Sequence, residues 1–227
     1  MSLLTSKENR RFISVLASDG SFREKVTETT PGAIKREYET SDGTKGEKWE
    51  LVYAKLEGMI TGLQFWDGDY GSSLQITVKN GEDEAILSLG VQTPFGEDMM
   101  KKLPNMDLTK PVSFEPYSFE DDNKKLRRGI SIKQGGVKIE NYYSAMEGKG
   151  KKQKRVSANG IPEPEGDVSG YKKDDWKLHF LKVRKFLVEQ VEKLIATKFP
   201  HVAEAPVAYP TAEGEGIDSE KAGAGHF

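Results

Sequence analysis

Apolar and polar positions alternate through most of the first 145 residues, which is the period of half-buried β-strands. Arg11 to Ala17 and Ser21 to Thr27 flank a Ser18-Asp19-Gly20 turn and read as a hairpin. Ile34 to Thr40 is a further short strand, followed by Ser41-Asp42-Gly43 with the same turn chemistry. The longest strand-like run extends from Lys48 to Trp66, with Trp49, Leu51 and Tyr53 alternating with Val52, Ala54 and Leu56. A flat strand of that length is unusual, and Gly58 in its middle is the natural place for a bend or bulge. After the turn Asp67 to Gly71, Leu74, Ile76 and Val78 alternate up to Asn80-Gly81, a strong hairpin signal, and Ala85, Leu87, Leu89 and Val91 alternate beyond it. Pro94 to Leu103 reads as a short helix stopped by Pro104. Val112, Phe114, Tyr117 and Phe119 mark another strand, which Pro116 weakens or places at an edge. Past Asp121-Asp122-Asn123, Arg128 to Lys133 pairs across Gly135-Gly136 with Val137 to Tyr143.

Without the N-terminal additions, the order is a long bent strand, two hairpin strands, a short helix, then two or three strands. This predicts a mainly β body at 1–145, an OB-fold-like small closed barrel with N-terminal hairpin additions. The character changes beyond Ala145. Residues 146–172 read as a basic Gly/Pro linker containing the run Gly148 to Arg155. Residues 173–199 read as an amphipathic helix, capped by Asp174 and ended by Pro200. Trp176, Phe180, Val183, Leu187, Val191 and Leu194 fall at steps of four and three and form one apolar stripe. So wide a stripe must pack on the barrel or on a second copy of the chain, as a homodimer. Residues 200–227 lack an apolar period and read as a flexible acidic tail ending in Phe227.

Charge follows the same divisions. Residues 1–145 carry 20 Lys+Arg against 23 Asp+Glu, residues 146–200 carry 13 against 8, and the last 27 carry one lysine and five acids. Local nets of −3, +5 and −4 therefore underlie the total of −2. Cysteine is absent, so disulfides and thiolate zinc sites are excluded. No apolar run approaches the roughly 18 residues of a membrane span, and the polar start does not resemble a signal peptide. A soluble, cytoplasmic protein with no membrane contact is expected.

Chemistry for catalysis is sparse. The three histidines, His179, His201 and His226, lie on the predicted helix and in the tail, so none joins a nucleophile pair or zinc triad in the barrel. Asp67-x-Asp69-x-Gly71 begins like a calcium loop but lacks the later ligands. Gly148-x-Gly150-Lys151 lacks phosphate-loop spacing. The acids Glu120-Asp121-Asp122 lie in a turn. Neither an enzyme nor a metal or other cofactor is expected. What remains is binding chemistry: aromatic faces stack on bases while cations follow phosphates, which holds a single strand without a hydrogen-bond code. Candidates are Lys35, Arg36 and Tyr38; Lys48, Trp49, Tyr53 and Lys55; Trp66 and Tyr70; and Arg127, Arg128 and Lys133 beside Lys124 and Lys125. Trp66 and Tyr70 flank a Gly-Asp turn and are the less suited to burial, whereas Trp49 and Tyr53 share a face and suit a core.

The barrel order with its bend at Gly58, the segment Leu103 to Val112 through Gly129 to Gln134 and Asn141 to Tyr143, and the acidic tail closing on Phe227 together resemble a bacteriophage single-stranded-DNA-binding protein of the OB-fold type. That resemblance implies binding of single-stranded DNA with little sequence preference, protecting it during phage replication or recombination in the host cytoplasm. It also implies a C-terminal tail that docks replication or recombination proteins, here through Asp218, Glu220 and Phe227. In this chain Lys221 to Gly225 separate the acids from the end. The alternative is a virion or assembly protein that uses the barrel for protein contacts.

Overall fold

The computed structural model describes residues 11–40, 43–69, 71–148 and 154–199. It is mainly β. In chain order the strands are β1 (Arg11–Leu16), β2 (Ser21–Val26), β3 (Ile34–Glu39), β4 (Lys45–Tyr53), β5 (Leu56–Gly68), β6 (Gly71–Asn80) and β7 (Asp83–Gly90). Helix α1 (Pro94–Lys102) follows, then β8 (Val112–Glu120), β9 (Leu126–Gln134), β10 (Val137–Lys138), β11 (Ser144–Glu147), β12 (Lys154–Ser157) and helix α2 (Lys173–Lys198). Ten strands form one sheet in the order β10-β9-β8-β5-β6-β7-β1-β2-β4-β3, and β11 pairs with β12 alone.

The expected single strand from Lys48 to Trp66 is two. It breaks at Ala54-Lys55: β4 pairs with β2 and β3, whereas β5 pairs with β6 and β8. Gly58 lies where β5 changes partner, from β8 at 56–58 to β6 from Met59 onward. A Cβ there would lie 2.5 Å from the Lys79 carbonyl oxygen, so only glycine lets the two backbones approach. A register shift between Ile60 and Gly62 adds curvature.

The sheet curls but does not close, contrary to the closed barrel expected. Strand β1 takes the free edge of β7 in parallel, Arg11 to Ile13 beside Ala85 to Leu87. The facing edge of β9 pairs with the two-residue β10 at Lys133 and Gln134, and at Ile130 it is satisfied by α1. Asp98 Oδ2 accepts from the Ile130 N–H at 2.7 Å, and Lys102 Nζ donates to the Ile130 carbonyl at 2.7 Å and to Asp98 Oδ2 at 2.7 Å. Two side chains one helical turn apart thus replace a neighbouring strand. Because both Ile130 backbone groups point to α1, its pair with Pro116 is a non-hydrogen-bonded one, and the imide nitrogen of Pro116 faces away from β9. Pairing of β8 with β5 ends at Phe114, so a proline at 116 costs no ladder bond even though β8 is an interior strand. The β1–β2 turn reaches across to β8. Ser118 Oγ donates to the Ala17 carbonyl at 3.2 Å, and Gly20, at φ +66°, lies so close to Tyr117 that a Cβ would be 2.5 Å from its carbonyl carbon.

Phe22, Leu63, Leu74, Ile76, Leu87, Met99, Phe114, Ile130 and Ile132 fill the concave side. Val183, Leu187 and Val191 of α2 are buried with them, while Trp176 and Phe180 at the helix start are only half-buried. Asp175, not Asp174, caps α2, accepting from the Lys172 N–H at 2.8 Å. The segment read as a linker is folded at both ends: β11 and β12 form a hairpin, Ile161 packs on the core, and Glu165 holds Lys182 at 2.7 Å. Among the described residues no helix is long and apolar enough to cross a membrane.

Candidate nucleic-acid interface

Strand parity sorts the predicted residues. On β2, β3 and β4, Lys35, Trp49 and Tyr53 share the concave face with Phe22, whereas Arg36, Tyr38 and Lys48 share the outer face. Tyr53 is tied into a cluster: its hydroxyl donates to Glu24 at 2.7 Å and accepts from Arg11 at 2.6 Å, with the Arg11 guanidinium 5.4 Å from its ring centre. Burial, and then the bond to Glu24, push the Tyr53 phenol up. Lys35 pairs with Glu47 at 2.6 Å. Outside, Glu50 is 2% exposed and gathers Arg36 at 2.9 Å, Lys48 at 3.1 Å and Arg23 at 3.8 Å. Burial opposes ionisation of Glu50, but the hydrogen bond from Arg36 and the charge of Lys48 hold its carboxyl below the usual range. Burial lowers Lys48, whose ammonium lies 5.5 Å from the Tyr38 ring centre.

Trp66 lies on the outer face of β5 opposite Ser73. Tyr70, like the tail residues Asp218, Glu220 and Phe227, lies outside the described residues. The outer face between Trp66 and the Glu50 cluster is closed, since Gln75 is 1% and Ile86 3% exposed. Trp66 and the β3–β4 cations therefore do not form one open groove.

An open track runs instead along the outer face of β8 and β9. Its rungs are Phe119 with Arg127, Tyr117 with Gly129, Glu115 with Ser131, and Ser113 with Lys133, and Glu57 of β5 lies beside Ser113. At about 3.3 Å per residue the track from Phe119 to Ser113 is about 20 Å long. Lys55, next to Glu57, and Lys133 meet at its far end in a cleft of about 420 Å³, lined also by Asn80, Gly135 and Gly136. Three predicted cations from distant chain positions, Lys55, Arg127 and Lys133, thus share one surface. Arg128 points to the opposite face, its Nε 3.4 Å from Ser118 Oγ.

Each of the three is balanced by a carboxylate: Lys55 by Glu57 at 2.5 Å, Lys133 by Glu115 at 3.2 Å, and Arg127 by Asp121 at 2.8 Å. Asp121 is held below the ordinary carboxylate range first by the Lys125 N–H and then by Arg127. Exposed pairs of this kind are worth only about 0–1 kcal/mol, so a phosphate can replace the carboxylate at little cost. Among the described residues, Lys124, Lys125 and Arg155 have no carboxylate within ion-pair distance. The three ion pairs therefore cancel, and the track itself carries little net charge.

Tyr117 and Phe119 were missed as site residues because along the sequence they serve only to mark a strand. The signal was present: pairing the hairpin across Asp121-Asn123 sets Phe119 opposite Arg127 and Tyr117 opposite Gly129. Among the described residues no three metal-ligating side chains come together. No protein family, no curated protein and no solved structure matches the chain.

Proposed function

We propose that the protein binds single-stranded DNA with little sequence preference through the outer face of β8 and β9. The observation that carries it is the convergence of Lys55, Arg127 and Lys133 on the ladder that also displays Tyr117 and Phe119. Stacking on rings and replaceable phosphate contacts need no base-specific hydrogen bonds. The body is read as an OB-type barrel, β5-β6-β7-α1-β8-β9, opened by insertion of β1 beside β7. Protection of phage replication or recombination intermediates, and recruitment of partner enzymes through the tail at Asp218, Glu220 and Phe227, complete the proposal. The test is fluorescence anisotropy of a labelled 30-mer strand and its duplex at two salt concentrations. Clear preference for the strand, weakening with salt as counterions are released, supports it; equal affinity for strand and duplex overturns it.

Leu178 and Leu181, exposed on α2, favour a second reading in which the protein makes assembly contacts or a homodimer through this helix. Val183, Leu187 and Val191 of α2 are buried in its own body, which leaves Leu178 and Leu181 as the exposed large apolar residues of the helix among the described residues. A mass in solution that stays monomeric up to high concentration would remove the homodimer.

A further inference from the structure

We propose that Tyr117 and Phe119 form a stacking platform for two successive unpaired bases, so that base faces as well as phosphates hold the strand on this track. Phe119 is 55% exposed, on a strand whose other apolar residues are largely enclosed. Its ring centre lies 5.7 Å from that of Tyr117, at an angle of 43°. The two rings are therefore neighbours without being stacked on each other, Phe119 exposed and Tyr117 half-buried. Gly129 opposite Tyr117 is what lets that ring lie across the strand: a Cβ there would come within 2.5 Å of the Tyr117 hydroxyl oxygen. The next rung pairs the small Ser131 with Glu115, which holds Lys133 at 3.2 Å.

Charge at the exposed ring suits a strand whose backbone is anionic, since Arg127 lies opposite Phe119. Tyr117 is held differently: burial and then the Asp98 carboxylate raise its phenol, and its hydroxyl lies over Gly129 on the side of Asp98. A duplex hides its base faces, so the platform also supplies a reason for strand preference. A protein partner would meet the same rings, but Lys124 and Lys125 at the head of the track, with no carboxylate within ion-pair distance among the described residues, favour the polyanion.

The inference rests on the single-strand-binding function proposed above, and the experiment separates the two. Anisotropy is measured on the full chain with a labelled dT oligomer and with an abasic oligomer of equal length and equal phosphate count. The expected result is tighter binding of dT than of the abasic strand. Phe119→Ala should weaken dT binding by about 5- to 150-fold, the range for one stacked base, and leave abasic binding unchanged. Because Phe119 is exposed the variant should fold, and Phe119→Trp, which should retain affinity and show fluorescence quenching on dT binding, guards against a folding artefact. If dT and abasic strands bind alike and Phe119→Ala is inert, the platform is wrong while single-strand binding stands. If neither oligomer binds, both fall.

Discussion

Removing the Asp98 carboxylate should reopen the edge that keeps the sheet from closing. In Asp98→Ala the Ile130 N–H loses its acceptor, and Lys102, 6% exposed, loses its only carboxylate partner among the described residues. A buried backbone donor without a partner costs about 1–3 kcal/mol, and a buried cation stripped of its counter-ion about 3–5 kcal/mol. The two losses share one carboxylate oxygen and do not add, so the variant should be less stable by about 3–5 kcal/mol. That is a large part of the 5–15 kcal/mol typical of a domain. Asp98→Asn keeps an acceptor for Ile130 but not the charge, and should fall between the two proteins. Urea unfolding would read the difference as a shifted midpoint at unchanged slope. Amide exchange would read it locally, as lost protection at Ile130. A change below about 0.5 kcal/mol, the size expected of an uninvolved surface site, together with unaltered Ile130 protection would refute the capped edge. It would mean that the Ile130 N–H has another partner.

Glu24 and Glu50 give a pH dependence of definite sign. Both carboxyls are held below the usual range by their cationic partners, against burial. Their stabilisation is therefore complete above the unfolded value of about 4.3 and is lost as pH falls through the depressed folded values. Thermal melts between pH 7 and pH 3 should show this loss, and Glu50→Gln should flatten it while lowering stability at pH 7; an unchanged acid limb in that variant would contradict the assignment. Gly20→Ala places a side chain on a left-handed residue pressed against Tyr117 and should cost more than about 1 kcal/mol in a denaturant melt; a neutral result would mean that the β1–β2 turn does not dock on β8. Replacing Lys55, Arg127 and Lys133 together by glutamine should reduce the salt slope of oligo-dT binding by roughly 2, at about 0.7 per phosphate on a single strand; an unchanged slope would take the track out of the interface.

Element types were legible because alternation and turn chemistry are local. The hairpins at Asp19-Gly20 and Asn80-Gly81, the helix opened by Pro94 and the apolar stripe of α2 could each be read from a few neighbouring residues. Parity was legible too, since 36, 38 and 48 differ from 35, 49 and 53 by their place in a two-residue period. Which parity faced inward was not, because that depends on Phe22 of β2 lying beside Tyr53 of β4, from another part of the chain. The candidate site suffered from the same limit. Arg127 and Lys133 stood out as cations, but Tyr117 and Phe119 only marked a strand until Gly129 and Arg127 were set across from them. Closure was decided by tertiary structure alone. Every strand edge offers the same N–H and C=O groups, so its own residues do not say whether a strand, a turn or a helix will satisfy them. For β9 the decision lay in Asp98 and Lys102, about 30 positions away, and for β7 in β1, more than 70 positions before it. The pattern along the chain specified the strands, and competition among distant segments for identical backbone donors and acceptors chose how they were joined.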